Sequence, residues 1–362
     1  MFRSADKPLL YITFLILGGG LLILASASMA LSQKNFGSIS YYLWHQALLG
    51  GAPGIVALLI TSQIPYRTWR KFALPLMMLS FILLAFLFIP QLSYSFGGAT
   101  RWLRLGPVSI QPSEILKLGF IAYLASWIDA RRQEVGSVSY GLIPFALMLT
   151  IVGIFLIMQP DIGTLGIIIA TSALLYFLGG GKVNQIATLF ILGLAILYFI
   201  IQAAPYRQDR IRVFLNPQLE PQGKSYQINQ AFIALGSGGF FGSGFGRSLQ
   251  KYNYLPEPMG DSIFAIFGEE VGFAGVLLLI AAFCFLFWRI LYIARRAPDL
   301  FGKLLASGLG IGIIVQVFIN MAAISGLLPL TGIPLPFVSY GGTALVMTLA
   351  NIGIVLNISK HT

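Results

Sequence analysis

The sequence predicts an all-α integral membrane protein with ten transmembrane helices and one large extracytoplasmic loop between the seventh and the eighth. Three observations predict it. Of the 362 residues, 57% are hydrophobic and only 10% are charged, where a soluble domain carries about a quarter charged residues. Apolar runs of roughly membrane-crossing length recur along the whole chain. One long polar stretch, Ala204 to Ser262, interrupts them.

The predicted spans lie near 9–31, 42–62, 72–90, 113–128, 142–158, 162–180, 184–203, 262–292, 304–325 and 338–358. Leu9 to Leu24, followed by Ala25-Ser26-Ala27, has the outline of a signal peptide with its cleavage site. The apolar run continues to Leu31, however, which is long enough to cross, so it reads as the first helix. The fourth span is short and carries Glu114 and Lys117. Only Gln159-Pro160-Asp161 separates the fifth from the sixth, and proline with a charge favours a tight turn over one long helix. Gly308, Gly310 and Gly312 in the ninth read as close helix packing. No linker or low-complexity tail divides the chain, which reads as one domain, 1–362.

Loop charge sets the orientation. With a cytoplasmic N-terminus, thirteen basic residues fall inside: Arg3, Lys7, Arg67, Arg70, Lys71, Arg131, Arg132, Lys182, Arg289, Arg295, Arg296, Lys303 and Lys360. The short outside loops hold three, Lys34, Arg101 and Arg104. Both termini are therefore expected in the cytoplasm and the 204–262 stretch outside. That stretch carries Arg207, Arg210, Arg212, Lys224, Arg247 and Lys251, and positive charge on the outer side suggests an anionic ligand. The net charge of +11 suits a lipid surface or an anionic substrate. Nucleic acid is not an expected partner, since no compact basic domain stands outside the membrane. The one cysteine, Cys284, leaves no intramolecular disulfide. The only histidines are His45 and His361, which argues against histidine metal sites and serine–histidine triads.

Several residues are candidates for chemistry. Asp261 stands where the polar stretch meets the eighth span. It reads either as a helix cap or as a general base in a partly desolvated pocket. Glu114 and Lys117, three apart on one helix face, read as a structural ion pair or as functional intramembrane charges. Glu269 and Glu270 follow Asp261 by eight and nine residues, about 80° and 180° around a helix, so at least one is expected to pair structurally. The run from Gly236 to Gly246 matches no dinucleotide or P-loop fingerprint. It is either a flexible loop or a set of backbone N–H groups around a phosphate.

Taken together, these residues resemble the SEDS family, the FtsW/RodA/SpoVE proteins of bacterial cell-wall synthesis, over essentially the whole chain. The resemblance rests on Gly98-Ala99-Thr100-Arg101-Trp102, Gln111-Pro112-Ser113-Glu114 through Lys117-Leu118, and Gln159-Pro160-Asp161-Ile162-Gly163-Thr164. It continues in Phe214-Leu215-Asn216-Pro217, Pro221-Gln222-Gly223, Tyr226-Gln227, and Ala234-Leu235-Gly236-Ser237-Gly238-Gly239. Tyr254-Leu255-Pro256-Glu257, Asp261-Ser262-Ile263-Phe264, Gly268-Glu269-Glu270 and Leu330 through Gly342 complete it. The Tyr254–Pro258 and Phe267–Glu270 variants are closer to the division branch than to the elongation branch.

The resemblance implies ten helices with an external loop between the seventh and eighth. It implies a peptidoglycan glycosyltransferase that polymerises lipid II on the outer face of the bacterial cytoplasmic membrane. The family's catalytic aspartate matches Asp261, although Met259-Gly260 and Ser262 stand where the family has His-Thr and Phe. The implied chemistry is attack of a sugar 4-hydroxyl on an anomeric carbon bearing a lipid pyrophosphate. One carboxylate base serves the attack. The leaving pyrophosphate calls for positive charge, expected from Arg101, Lys117, Arg210 or Lys251, and a divalent cation, Mg or Mn, would fit. Glu114 and Ser339 complete the expected substrate-binding set, and no organic cofactor is implied. Expected partners are lipid II, the growing glycan, membrane lipid, a class B penicillin-binding protein of the FtsI-type transpeptidase class and other divisome membrane proteins. A lipid II flippase and a non-catalytic division scaffold are the alternatives.

Overall fold

The computed structural model describes residues 5–362 except 97, 98, 107, 203, 204, 219, 221 and 224. Arg3, Gly98, Ala204, Pro221 and Lys224 thus lie outside the described residues, as do the side chains of Phe96, Ala99 and Arg207.

Each of the ten apolar segments holds a helix. In order they are α1 (Lys7–Phe36), α2 (Tyr41–Gln46) running through a π turn at Ala47–Gly51 into α3 (Ala52–Gln63), α4 (Tyr66–Phe86), α5 (Pro112–Ala130), α6 (Ile143–Met158, preceded by a π turn at Val138–Leu142), α7 (Ile162–Leu178) and α8 (Val183–Gln202). The polar stretch contributes α9 (Pro205–Leu215) and α10 (Tyr226–Ser237), and the last three are α11 (Ile263–Arg296), α12 (Leu300–Ile324) and α13 (Gly342–Ser359). Among the described residues, eight helices are long and apolar enough to cross a membrane. α7 has 17 residues, and α5 carries Glu114, Lys117 and Asp129.

Local sequence explains the helix ends. Asp6 caps α1 by accepting from Leu9 N at 2.8 Å, with Pro8 in the first turn. Gly37 ends it in the left-handed conformation at φ 69°, with its N–H on Gln33 O. Asp161 caps α7 by accepting from Thr164 N at 3.3 Å, so the Gln159-Pro160-Asp161 turn separates α6 and α7 as the sequence requires.

The all-α expectation needs one correction. Between α4 and α5 the chain forms a three-stranded antiparallel sheet, β1 (Ser93–Phe96), β2 (Ala99–Leu105) and β3 (Val108–Ile110). Leu103 faces Ile110 and Arg104 faces Ser109 across β2 and β3. Backbone polar groups need partners wherever the chain leaves a helix, and here the strands supply them to one another. The sheet fixes Arg101 at the edge of the helical bundle.

α12 runs through the centre of the bundle and is mostly buried. A Cβ on Gly308 would lie 2.7 Å from Ile121 Cγ2, and one on Gly310 would lie 2.7 Å from Ile290 Cγ2. The glycines therefore let α5 and α11 close onto α12, as small residues do between membrane helices. Ion pairs gather the helix termini at one end of the bundle. Arg289 bonds Asp6 at 2.6 Å, Arg70 bonds Asp129 at 2.7 Å and Arg67 bonds Asp299 at 3.2 Å. Asp6 N also donates to Ser359 Oγ at 3.1 Å, so the start of α1 and the end of α13 meet there. Asp261, before the start of α11, belongs to the opposite end, with the 326–341 segment.

Candidate active site

α11 starts at Ile263 with Ser262 at its N-cap, and no side chain caps it. Asp261 therefore does not serve as a cap. Its carboxylate instead faces α10, where Gln227 Nε2 lies 3.4 Å from Oδ1 and 3.5 Å from Oδ2. The same amide donates to Ser262 Oγ at 3.0 Å. Arg210 on α9 adds positive charge and anchors itself on Leu330 O at 2.8 Å. Burial pushes the Asp261 carboxyl above the ordinary aspartate range; the Gln227 bond and the Arg210 charge oppose this without overcoming it. Glu257 is also pushed up, by desolvation and then by the Asp261 charge, although part of its side chain reaches solvent. A cleft of about 280 Å³ opens beside these groups, with Arg210, Gln227, Phe232 and Leu330 in its walls.

The backbone under Asp261 is clamped at three successive carbonyls. Met259 O accepts from Tyr340 N at 2.8 Å, Gly260 O accepts from Ser339 Oγ at 2.6 Å, and Asp261 O accepts from Asn320 Nδ2 at 2.8 Å. Ser339 Oγ in turn accepts from Leu335 N at 2.8 Å. Tyr340 OH is 2.7 Å from His45 Nδ1. The 331–341 motif is thus a bracket for the aspartate, and Ser339 acts within it through the backbone.

The other expected binding residues fall into three groups. Glu114 and Lys117 form an ion pair of 2.8 Å inside the bundle, and Lys117 Nζ also donates to Gln316 Oε1 at 2.7 Å. A small cavity of about 20 Å³ adjoins them, lined also by Thr171, Thr348 and Asn351. Arg101 donates to Pro160 O and stands 4.0 Å from Asp161 Oδ1. Ser113 donates to Asp161 Oδ2 at 3.2 Å, so this group joins the sheet, α5 and α7.

Lys251 lies elsewhere. It is fully buried, and its Nζ donates to Glu270 Oε1 at 2.9 Å, to Gly246 O at 2.7 Å and to Ser26 Oγ at 3.1 Å. All three ammonium protons are committed within the protein, which sets Lys251 apart from the cationic groups near Asp261. Glu269 is as fully engaged. Ser248 Oγ donates to it, and so do Leu249 N at 2.9 Å and Gln250 N at 3.4 Å. Both glutamates therefore pair structurally.

The glycine run lays its backbone against α11. At Gly272, φ 65° and ψ −168° break α11. The freed N–H groups of Phe273 and Ala274 donate to Gly239 O and Phe240 O at 2.9 and 3.0 Å. In return Ser243 N and Gly244 N donate to Glu269 O and Glu270 O at 2.9 and 3.0 Å. A Cβ on Gly238 would collide with Gly268 O, and one on Gly242 with Glu270 O, so backbone lies directly on backbone. The glycines allow that close approach, and the Gly244 N–H is used in it.

Among the described residues no three of His, Cys, Asp and Glu converge as a metal site. Three amides escaped the sequence reading as site residues in their own right: Gln227, Gln316 and Asn320. Gln227 sits within a quoted motif. Gln316 and Asn320 are polar side chains within an apolar helix, and that rarity was the available signal.

A family model described as "Cell cycle protein", covering FtsW, RodA and SpoVE, matches residues 7–362. "Stage V sporulation protein E" of Bacillus subtilis (strain 168) is 39% identical over 360 residues, 99% of this chain and 98% of its own. "Probable peptidoglycan glycosyltransferase FtsW" of Trichlorobacter lovleyi is 38% identical over 360 residues, 99% of this chain and 94% of its own. Among solved structures, one described as "Structural coordination of polymerization and crosslinking by a peptidoglycan synthase complex" superimposes with a TM-score of 0.81 at 24% identity, covering 99% of this chain and 98% of its own. The crystal structure of the rod shape determining protein RodA of Thermus thermophilus gives 0.73 at 25% identity, covering 98% and 97%. The first of these likenesses speaks to the fold alone. By the match along its whole length, the chain is a multi-pass membrane protein of the FtsW/RodA/SpoVE family.

Proposed function

We propose that this protein is a peptidoglycan glycosyltransferase that polymerises lipid II, with Asp261 as the general base. The observation that carries the reading is the state of Asp261: a carboxyl in no cap and, among the described residues, in no ion pair, with a raised pKa, beside a cleft that holds a guanidinium. A base tuned upward by burial suits proton abstraction from an attacking sugar hydroxyl near neutral pH. The pyrophosphate leaves as a stable anion, so no second carboxylic acid is needed, unlike in glycoside hydrolysis. Among the described residues Arg210 is the cation nearest this chemistry, with Lys117 and Arg101 deeper in the bundle. Lys251 contributes to the site only by holding the glycine run on α11. A divalent cation, Mg or Mn, would arrive with the pyrophosphate.

The reading extends to placement. All ten apolar helices cross the cytoplasmic membrane as one domain, 1–362, with the 204–262 stretch outside between the seventh and eighth crossings. Both termini are cytoplasmic. The meeting of Asp6 and Ser359 at one end of the bundle supports this, as does the charge asymmetry of the loops. The relatives named for FtsW and for sporulation favour septal wall synthesis alongside a class B penicillin-binding protein. The direct test is polymerisation of lipid II by the purified chain, alone and with that partner. A chain that binds lipid II yet yields no glycan in either setting, while translocating it across vesicles, would replace this reading with the flippase.

A further inference from the structure

Gln316 and Asn320 are four apart on α12, hence on one face, and both are buried. Gln316 accepts from Lys117 Nζ at 2.7 Å and donates to Pro334 O at 2.9 Å. Asn320 donates to the preceding carbonyl, Ile333 O, at 2.7 Å and to Asp261 O at 2.8 Å. The two amides thus grip adjacent peptide units of one proline-rich segment. Between them they join the Glu114–Lys117 pair to the backbone of Asp261. Amides buried in an apolar helix are costly unless bonded, and here their donors are directed at backbone carbonyls of the site.

Among the described residues the Asp261 carboxylate has only long contacts of its own, at 3.4 to 3.5 Å. Its direction is therefore set mainly from the backbone. Two of the three carbonyl clamps come from the 339–340 turn, whereas the third comes from a side chain on the central helix. We infer that Gln316 and Asn320 are positioning residues, which fix the Asp261 carboxylate beside the cleft and tie its placement to the buried Glu114–Lys117 pair. This rests on the reading of Asp261 as the base. Neither amide touches the reacting atoms.

The test uses two isosteric variants of the full chain, Asn320→Asp and Gln316→Glu. Each keeps its acceptor oxygen and loses the amide donor; Gln316→Glu retains the Lys117 bond and gives up only the one to Pro334 O. Polymerisation of lipid II is followed with the class B penicillin-binding protein present, and kcat, KM and the pH profile are measured beside Asp261→Asn. A misplacement of about 1 Å costs roughly 10²-fold, so kcat is expected to fall by about that factor with KM for lipid II unchanged. The groups facing the carboxylate are Arg210 from α9, Gln227 from α10, Ser262 and Glu257. Movement away from Arg210 and Gln227 raises the pKa of the base, so the acid limb of the profile is expected at higher pH in both variants. Wild-type kcat and profile in both, with Asp261→Asn inactive, would overturn the positioning role and leave the base intact. Activity in Asp261→Asn would instead remove the base reading itself. A fall in kcat that tracks lost thermal stability, with the acid limb unmoved, would reduce both amides to packing and also overturn the inference. If Asn320→Asp does not fold, Gln316→Glu decides by the same criteria.

Discussion

Lys251 Nζ lies 2.9 Å from Glu270 Oε1 with neither side chain more than 3% exposed. The pair joins the glycine run to α11, and Ser26 Oγ brings in α1 by donating to the same carboxylate oxygen at 2.6 Å. Breaking a buried pair from one side leaves an uncompensated charge and costs about 3–5 kcal/mol. Lys251→Met is therefore expected to lower the thermal midpoint of the detergent-purified protein sharply. Lys251→Met with Glu270→Gln is expected to recover much of the loss, because no charge is then stranded. If the single variant is as stable as wild type, the pair does not hold the loop.

The glycine contacts make a finer distinction. Gly242 has φ 81° and its Cβ would collide with Glu270 O, whereas Gly246 has φ 80° with nothing within 4 Å. Alanine at Gly246 should cost about 1–2 kcal/mol, the left-handed penalty alone. Alanine at Gly242 should cost visibly more, since the loop must also lift from α11. Thermal unfolding of the two variants side by side measures the difference. Equal costs would mean that the close approach at Gly272 is not a feature of the folded protein.

How far the sequence spoke for itself differs from element to element. Hydrophobic runs are a strong signal over 20 residues, and they marked where the helices lie. Asp161 and its proline marked the break before α7 for the same local reasons that the structure shows. The interior placement of Glu114 and Lys117 followed from the cost of turning charges to lipid. The short strands from Ser93 to Ile110 gave no comparable signal. The environment of Lys251 was also hidden: its partners are Glu270 and Ser26, and a lysine in a polar stretch ordinarily reads as solvated. Asp261 looked like a cap because it precedes an apolar helix by two residues. Only the absence of a side-chain cap on α11 and the position of Gln227 show that its carboxylate faces α10 instead.

Topology is open to a direct measurement. Gly223 lies between α9 and α10, and Arg132 lies just past the end of α5. Single cysteines at these two sites, in a background with Cys284 replaced by alanine, should react with a membrane-impermeant thiol reagent from opposite sides of sealed vesicles. Labelling of both from the same side would rule out the ten-crossing arrangement with Gly223 outside and Arg132 inside.

Asp261 itself separates catalysis from stability by pH. A base must be deprotonated to act, and burial holds its proton above the ordinary value of 3.8. The rate of lipid II polymerisation should therefore rise with pH along an acid limb lying above that value. The effect on stability has the opposite sign. The folded state binds this proton more tightly than the unfolded state does, so the wild-type protein loses stability as pH rises from 3.8 through the folded pKa. Asp261→Asn carries no such proton and should be at least as stable as wild type at neutral pH, the advantage vanishing in acid. Loss of a positioned base costs about 10²–10⁴-fold in rate. The variant should thus fold, bind lipid II and fail to polymerise it. A stable Asp261→Asn protein that polymerises lipid II at the wild-type rate would take the base role away from Asp261 and direct attention to Glu257, the neighbouring carboxylate whose pKa burial also raises.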